Sequence, residues 1–192
     1  MPHTPLMTEA QTSTGPYTWD DFVALEEDDL RELIDGELVE VEVPTNDHEH
    51  IVLRIGGALA TWIDAGHGGR AVASGYKVRV TNRRGVMPDV QFYRAGNDAW
   101  REQQQGLVRG RPDLVVEIVS PSSGRYDRVK KLHWYARLGI PEYWLIDAAD
   151  RTLERLVLRD GMYAIAESLA DDETFRPPSF EGLEIPLSKL WG

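Results

Sequence analysis

The feature that most constrains the fold of this chain is a β–helix–β pattern between residues 113 and 147. The run Leu114–Val119 is short, apolar and rich in β-branched residues, as expected of a central strand covered on both faces. Residues 126–138 follow helical spacing and stop at Gly139, and residues 142–147 form a second apolar run. Two strands joined in this way pair in parallel through a right-handed crossover. The pattern therefore predicts an α/β fold with a mixed sheet flanked by helices.

Signals on either side of this unit predict further helices and strands. Thr18 and Asp21 have the capping-box spacing of a short first helix, and Asp35-Gly36 separates two apolar stretches as a hairpin turn does. Apolar residues recur at helical spacing from Asn46 to Ala65. The other predicted strands are residues 76–80, 86–93, 153–158 and 162–166, and a polar loop is predicted at 94–111.

Length and composition predict one globular domain. A chain of 192 residues, 42% of them hydrophobic, can bury a core, and we assign residues 17–192 to a single domain after a flexible N-terminal tail at residues 1–16. The absence of cysteine excludes disulfides and thiolate ligands, so a metal would have to bind oxygen or imidazole. The tail lacks the pattern of a secretory signal, and no apolar run approaches the ~18 residues of a membrane span. We expect a cytoplasmic protein that does not contact a membrane.

The charges are distributed unevenly along the chain. The formal net charge of −11 argues against indiscriminate nucleic-acid binding, but residues 77–137 hold 13 Lys and Arg against 6 Asp and Glu. This basic middle segment could contact a polyanion. Solvated charges on helices and loops explain the pattern equally well, so both interpretations stay open at this point.

Glu117 is the residue that first suggests a functional site. It lies between Val115 and Val119 on one face of an apolar strand, and an ionised carboxylate buried without a partner is costly. Such a group is neutralised, paired with a cation or bound to a metal. The strand alone favours a structural ion pair slightly over a functional role.

Two further acids strengthen the functional interpretation. Asp89 follows Pro88 on an earlier strand, and Glu37 shares a face of the hairpin with Val39 and Val41, a face that we expect to point inward. Carboxylates that converge on one apolar region repel one another, and a divalent cation with oxygen ligands relieves the repulsion. Glu37 keeps a second interpretation, because hairpin ends are often exposed.

Lys131 has two interpretations. As the partner of Asp127, four residues earlier on the predicted helix, it would form a surface ion pair worth only about 0.3–0.5 kcal/mol. Alternatively, it turns back over the end of the Glu117 strand and acts on a phosphate or a water molecule. The spacing alone favours the surface pair. The histidines are weaker candidates, although His48 could face the hairpin and Glu37.

Several motifs occur in a characteristic order along the chain. They are Leu33-Ile34-Asp35-Gly36-Glu37-Leu38, Pro88-Asp89-Val90, the run from Pro112 to Ser122, and Lys131-Leu132 followed by Glu142-Tyr143-Trp144. Together they resemble the Uma-two family of endonucleases, which belongs to the PD-(D/E)XK restriction-endonuclease-like superfamily. The resemblance covers residues 17–190. It implies a restriction-endonuclease-like fold, in which a central mixed β-sheet is flanked by helices.

The resemblance also implies a metal site. By position, Asp89 and Glu117 match the acidic ligands of the superfamily, and the Ile118 carbonyl would be a further ligand of Mg²⁺ or Mn²⁺. Glu37 matches the hairpin acid of the family and could hold a second ion or a water molecule. The implied site is thus built from hard oxygen donors.

The implied activity is hydrolysis of DNA phosphodiester bonds. Val119 stands where the usual motif has lysine, and Lys131 matches the lysine that relatives supply from the next helix. Lys131 would position a water molecule or stabilise charge on the phosphate. A homodimer is expected, because many such nucleases address two strands. The DNA backbone would be contacted by Arg79, Arg83, Arg84, Arg125, Arg128 and Lys130.

A second function remains open. The chain could be a nuclease-like scaffold without catalytic activity that serves as a dimeric interaction or regulatory module, and the net charge of −11 favours this alternative. The presence of Asp89, Glu117 and Glu37 together favours the enzyme, because a structural role alone gives no reason to keep three acids in one region.

Overall fold

The structure, a computed structural model, describes residues 15–26, 29–41, 43–73, 75–102, 111–119 and 125–192. The predicted N-terminal tail lies outside these ranges except for residues 15 and 16, as does the part of the predicted polar loop at 103–110. The helices are α1 (Trp19–Val23), α2 (Asn46–Trp62), α3 (Ala99–Glu102) and α4 (Arg125–Leu138), with a wider helical turn (Ile63–His67) after α2 and a short 3-10 helix (Leu187–Lys189) near the C-terminus. The strands are β1 (Arg31–Ile34), β2 (Glu37–Glu40), β3 (Arg70–Ala73), β4 (Val78–Thr81), β5 (Arg84–Val86), β6 (Val90–Tyr93), β7 (Leu114–Val119), β8 (Glu142–Asp147), β9 (Thr152–Arg159), β10 (Met162–Ala170), β11 (Thr174–Phe175) and β12 (Ile185–Pro186).

A six-stranded mixed sheet, in the order β10-β9-β8-β7-β6-β3, forms the centre of the fold. β7 and β8 are parallel, with Leu114 opposite Glu142 and Val119 opposite Asp147, and α4 connects them. The other neighbouring strands of this sheet are antiparallel. The predicted β–helix–β unit is confirmed, and its two apolar strands lie in the middle of the sheet, where both faces are covered.

The two faces of β7 contribute to different layers of the core. Leu114, Val116 and Ile118 belong to the layer formed with α2 and the C-terminal segment, whereas Val115 packs in the layer that contains α4. Alternate residues of a strand point to opposite faces, so Glu117 lies on the face of Val115. The strand therefore presents the Glu117 side chain to α4.

A second sheet, in the order β2-β1-β5-β4, borders the α4 layer. Its first two strands form the predicted hairpin, and the turn residues Asp35 and Gly36 have φ angles of 54° and 91°. These positive φ values are the reason that Asp-Gly is favoured at such a turn. Val78 and Val86 from β4 and β5 pack in the same layer as α4.

The single strand predicted at residues 86–93 is wrong, because this segment is divided between the two sheets. β5 belongs to the four-stranded sheet and β6 to the six-stranded sheet. Pro88, between them, has no backbone N–H with which to continue a ladder, and the Met87 N–H donates to a Glu32 carboxylate oxygen instead. Asp89 consequently lies at the junction of the two sheets, immediately before β6.

The remaining local signals were confirmed, but several short elements were not predicted. Thr18 and Asp21 form both hydrogen bonds of the capping box at the start of α1. The helical segment that contains α2 ends near Gly66, whose φ of 103° suits glycine. The sequence did not predict β3, which pairs with β6 at the edge of the large sheet. It also did not predict β11 and β12, and α3 lies within the segment predicted as a polar loop.

Among the described residues, none of the helices combines the length and the apolar character that a membrane crossing requires.

Candidate active site

Two polar side chains of α4 contact Glu117. Lys131 and Tyr135 lie one helical turn apart, so both point toward β7. The Lys131 Nζ lies 3.2 Å from each carboxylate oxygen of Glu117, and the Tyr135 hydroxyl donates a hydrogen bond to Glu117 Oε1. The predicted location of Lys131 over the Glu117 strand is confirmed, and the surface-pair interpretation is wrong because the ammonium group is turned inward.

Glu32, on β1, is a site residue that the sequence did not reveal. It is 5% exposed, and its Oε1 lies 3.2 Å from the Lys131 Nζ and accepts the Met87 N–H at 2.9 Å. Lys131 therefore contacts two carboxylates that belong to different sheets. The sequence carries no comparable signal for Glu32, because Arg31 precedes it and only Leu33 and Ile34 of its strand are apolar.

Asp89 is held by one contact on each carboxylate oxygen. Its Oδ2 accepts the Ile118 N–H at 2.7 Å, and its Oδ1 lies 3.2 Å from the His48 Nε2. The Ile118 N–H is available because the antiparallel pairing of β6 with β7 ends at Val90 and Val116. Asp89 thus lies beside the backbone that follows Glu117.

His48 comes from the first turn of α2, where Thr45 caps the helix and accepts the His48 N–H at 3.2 Å. The expectation that His48 could face Glu37 is wrong, because its ring contacts Asp89. The hydrogen bond with Asp89 raises the pKa of His48 above its ordinary value, and burial opposes this rise. The Nδ1 of the ring lies 3.3 Å from Glu49 Oε1.

The site gathers three carboxylates around one ammonium group. The pKa of Glu117 is raised to about 7, chiefly by burial; the charge of Lys131 opposes this rise, and the charges of Asp89 and Glu32 contribute to it. Burial alone would lower the pKa of Lys131, but the charges of Glu117, Glu32 and Asp89 raise it well above its ordinary value. Lys131 is therefore protonated, and the acids outnumber it.

Glu37 is not brought into this cluster. It lies opposite Ile34 at the turn end of β2, an edge strand, and its side chain is exposed. It shares a face of the hairpin with Glu32, because Glu32 is opposite Val39, two residues from Glu37. The prediction that Glu37 points inward is wrong, since β2 is the edge strand of its sheet, and both Glu37 and Val39 on this face are exposed.

Two of the arginines that we predicted to contact DNA bind the hairpin-turn residue Asp35. Arg84 forms an ion pair with Asp35, and its guanidinium lies 4.6 Å from the centroid of the Trp134 ring. Arg83 is exposed and donates to the Asp35 carbonyl at 3.2 Å. Arg84 is thereby largely buried, whereas Arg83 remains accessible.

The other predicted DNA contacts lie on β4 and α4. Arg79 donates to the Asn82 side chain at 3.0 Å, and Lys130 is half-buried on α4. Arg125 and Arg128 belong to the first turns of α4, and their side chains lie outside the described part of the structure. Their contacts with DNA stay predictions.

The model of a known protein family matches most of the chain. The sequence model of the Uma2 family, described as "Putative restriction endonuclease", matches residues 19–188. The chain belongs to the Uma2 family. The matched region contains Glu32, His48, Asp89, Glu117 and Lys131, and no curated protein matches the chain.

A solved structure supports the Uma2 fold. A crystal structure from Anabaena variabilis, described as a "putative nuclease belonging to DUF820", superimposes with a TM-score of 0.70 at 20% sequence identity. The match covers 92% of this chain and 98% of the Anabaena chain. The mixed α and β fold expected of a nuclease-like protein is therefore confirmed.

The donor set of this Uma2 site suits a hard divalent cation. Asp89 and Glu117 offer carboxylate oxygens from neighbouring strands, and Mg²⁺ is usually bound by one or two carboxylates together with water and phosphate oxygens. In the parts of the chain that the structure describes, no three His, Asp or Glu side chains are grouped as a ready-made cage. The described side chains therefore offer two carboxylates of the kind that Mg²⁺ uses, without a complete protein cage.

Proposed function

We propose that the chain is a metal-dependent endonuclease that hydrolyses phosphodiester bonds of DNA. The observation that best supports this proposal is the position of Lys131, whose Nζ lies 3.2 Å from carboxylate oxygens of both Glu117 and Glu32. Burying an ammonium group costs desolvation free energy, and its attraction to nearby carboxylates offsets little more than that cost. It suits a site in which a fixed positive charge acts on a phosphate.

Asp89 and Glu117 are the residues that would hold Mg²⁺ or Mn²⁺, and the Ile118 carbonyl is a further candidate ligand. When bound, the ion would supply Lewis-acid chemistry, which polarises the phosphate and makes a nearby water molecule more acidic. Glu32, rather than the exposed Glu37, is the hairpin acid within reach of this site.

The protein groups around these ligands have separate tasks in the proposed reaction. Lys131 stabilises the negative charge that develops on the phosphate, and Glu32 keeps its ammonium group in place. Tyr135 fixes the rotation of the Glu117 carboxylate through its hydroxyl. His48 and the Ile118 N–H fix the Asp89 carboxylate, one at each oxygen. Such preorganisation keeps reacting groups in a productive geometry.

DNA would reach this site along the basic segment of the chain. Arg83 is exposed beside the hairpin turn, and Arg79 and Lys130 lie on β4 and α4, which border the same layer. A homodimer would present two such sites, one for each strand of a duplex. The salt dependence of DNA binding tests the role of the basic segment.

The experiment that tests the proposed function compares Lys131→Ala with Lys130→Ala. Cleavage of plasmid and end-labelled linear DNA is measured with Mg²⁺ or Mn²⁺ at fixed salt. Loss of the Lys131 charge should slow cleavage by on the order of a hundredfold or more, the scale seen when one preorganised charge stabiliser is removed.

Lys130→Ala serves as the matched control, because neighbouring helical residues point about 100° apart. It should have a much smaller effect, which fades as salt is added. Equal, small and salt-sensitive losses in the two variants would contradict a catalytic role for Lys131.

The alternative function, a catalytically silent interaction or regulatory module, is favoured by one observation. Without a metal, both oxygens of Asp89 and both oxygens of Glu117 already have protein partners. A cluster that is satisfied in this way needs no ion for stability. If neither Mn²⁺ nor Mg²⁺ at millimolar concentration raises the melting temperature of the protein, the result contradicts the metal-dependent enzyme and favours this alternative.

A further inference from the structure

Two arginines and one tryptophan form a cluster outside the candidate active site. The guanidinium carbon of Arg70 is 4.0 Å from the centroid of the Trp100 ring, and that of Arg101 is 4.7 Å from the same centroid. Both arginines are exposed, and Trp100 is half-buried. The shared ring therefore holds two exposed cations within about 9 Å of each other.

The large sheet places this cluster near the segment that carries Asp89. β3 pairs antiparallel with β6, and Arg70 lies directly opposite Tyr93, the last residue of β6. Asp89 immediately precedes the first residue of β6. Four residues of extended chain, from Asp89 to Tyr93, span about 13 Å. A DNA strand of a few nucleotides covers a distance of this size.

Buried hydrogen bonds tie Trp100 to the strand that follows Asp89. Gln91 is fully buried and donates to the Tyr76 carbonyl, and the Tyr93 hydroxyl donates to the Gln91 side chain at 2.7 Å. The Tyr76 hydroxyl in turn donates to the Trp100 carbonyl. These contacts fix the position of Trp100 relative to the candidate active site.

The cluster has the chemistry of a single-strand binding platform. Proteins that bind single-stranded nucleic acid combine cations for the phosphates with aromatic rings on which bases stack. Arg101 also lies 3.3 Å from Asp98, but both side chains are well exposed, and such a pair is weak. Its guanidinium can therefore leave Asp98 and the ring when a phosphate and a base approach.

We propose that Arg70, Trp100 and Arg101 bind the unpaired flank of the DNA strand that is cut at the Asp89–Glu117 site. A base stacks on Trp100, and the two arginines pair with the phosphates on either side of it. This inference deepens the proposed nuclease function and rests on it, since it names single-stranded or frayed DNA as the substrate that the site accepts best.

The test is DNA binding by the full chain without added metal, so that no cleavage occurs. The fluorescence anisotropy of a labelled single-stranded oligonucleotide is measured at low salt, and a duplex of the same length is measured beside it. Trp100→Ala and Arg70→Ala should each weaken single-strand binding at least tenfold. Trp100→Phe keeps a ring for stacking and should retain most of the affinity.

Arg176→Ala is the matched control, because Arg176 is an exposed arginine that pairs with Glu184 at 2.8 Å, much as Arg101 pairs with Asp98. It should leave binding unchanged. Melting temperatures of all variants show whether the fold is intact, and the Trp100→Phe result remains informative if Trp100→Ala unfolds.

Several results would overturn the inference. These are no binding by the unmodified chain, equal losses in Arg176→Ala and Arg70→Ala, full affinity in Trp100→Ala, or tighter binding to the duplex. The proposed function fails independently of this test. Trp100-dependent binding without any metal-dependent cleavage would refute the nuclease and leave the binding platform, whereas cleavage with Trp100-independent binding would refute only the platform.

Discussion

The ammonium group of Lys131, on α4, lies 3.2 Å from a carboxylate oxygen of Glu32, on β1. This contact joins the four-stranded sheet, which contains the hairpin, to the helix that covers the six-stranded sheet. The same Glu32 oxygen accepts the Met87 N–H, two residues before Asp89. The small sheet is therefore part of the site, because it positions both the lysine and the segment that carries Asp89.

Glu32→Gln should slow DNA cleavage about 10–100-fold, the range found when a group that orients a metal ligand or its neighbour is lost. The substitution keeps the shape of the side chain but removes the charge that holds Lys131. The measurement is the cleavage rate at saturating Mg²⁺. Glu37→Gln is the control and should have no effect, because Glu37 is exposed. Equal effects of the two substitutions would contradict the role assigned to Glu32.

Much of the fold could be predicted from the sequence, because the strongest patterns are local. The apolar run of β7, the helical spacing of α4 and the apolar run of β8 predict a parallel pair, and Asp35-Gly36 predicts a hairpin whose turn needs positive φ. For the same reason Asp89 and Glu117 could be selected as candidates. The spacing of Lys131 alone favoured a surface pair, and its selection rested on the family resemblance.

The hairpin acid could not be selected in this way. Glu32 and Leu33 are both buried, so alternation along β1 does not show which face of the strand points to the solvent. The choice between Glu32 and Glu37 depends on how far α4 covers the hairpin, which is a property of the tertiary packing. The contact of His48 with Asp89 likewise depends on the placement of α2 against the end of β6.

His48→Ala should weaken Mn²⁺ binding about tenfold, because the Oδ1 of Asp89 loses the group that orients it. His48→Gln should restore much of the affinity, since the glutamine amide can donate from nearly the same place as Nε2. Calorimetric titration of the protein with Mn²⁺ measures both. His50→Ala, two residues later on α2, should bind Mn²⁺ normally, and an equal loss in this variant would show a general effect on the helix.

Tyr135→Phe should lower the free energy of unfolding of the metal-free protein by about 2 kcal/mol, because a buried carboxylate loses a hydrogen bond. Urea denaturation gives the value. The matched variant Tyr163→Phe removes a hydroxyl that donates to the neutral Ile140 carbonyl at 2.8 Å, and it should cost only about 1 kcal/mol. A smaller loss for Tyr135→Phe than for Tyr163→Phe would show that the hydroxyl does not support Glu117.

The most direct test of a metal site at Asp89 and Glu117 is Mn²⁺ binding and DNA cleavage measured on the same samples of the unmodified chain, Asp89→Asn and Glu117→Gln. The unmodified chain should bind Mn²⁺ and cut DNA. Both variants should fold with an equal or higher melting temperature in the absence of metal, because removing one of the clustered charges relieves repulsion. Both should lose cleavage and bind Mn²⁺ at least about tenfold more weakly, because an amide is a poorer ligand than a carboxylate. Cleavage and Mn²⁺ binding that persist in both variants would show that the two carboxylates are structural.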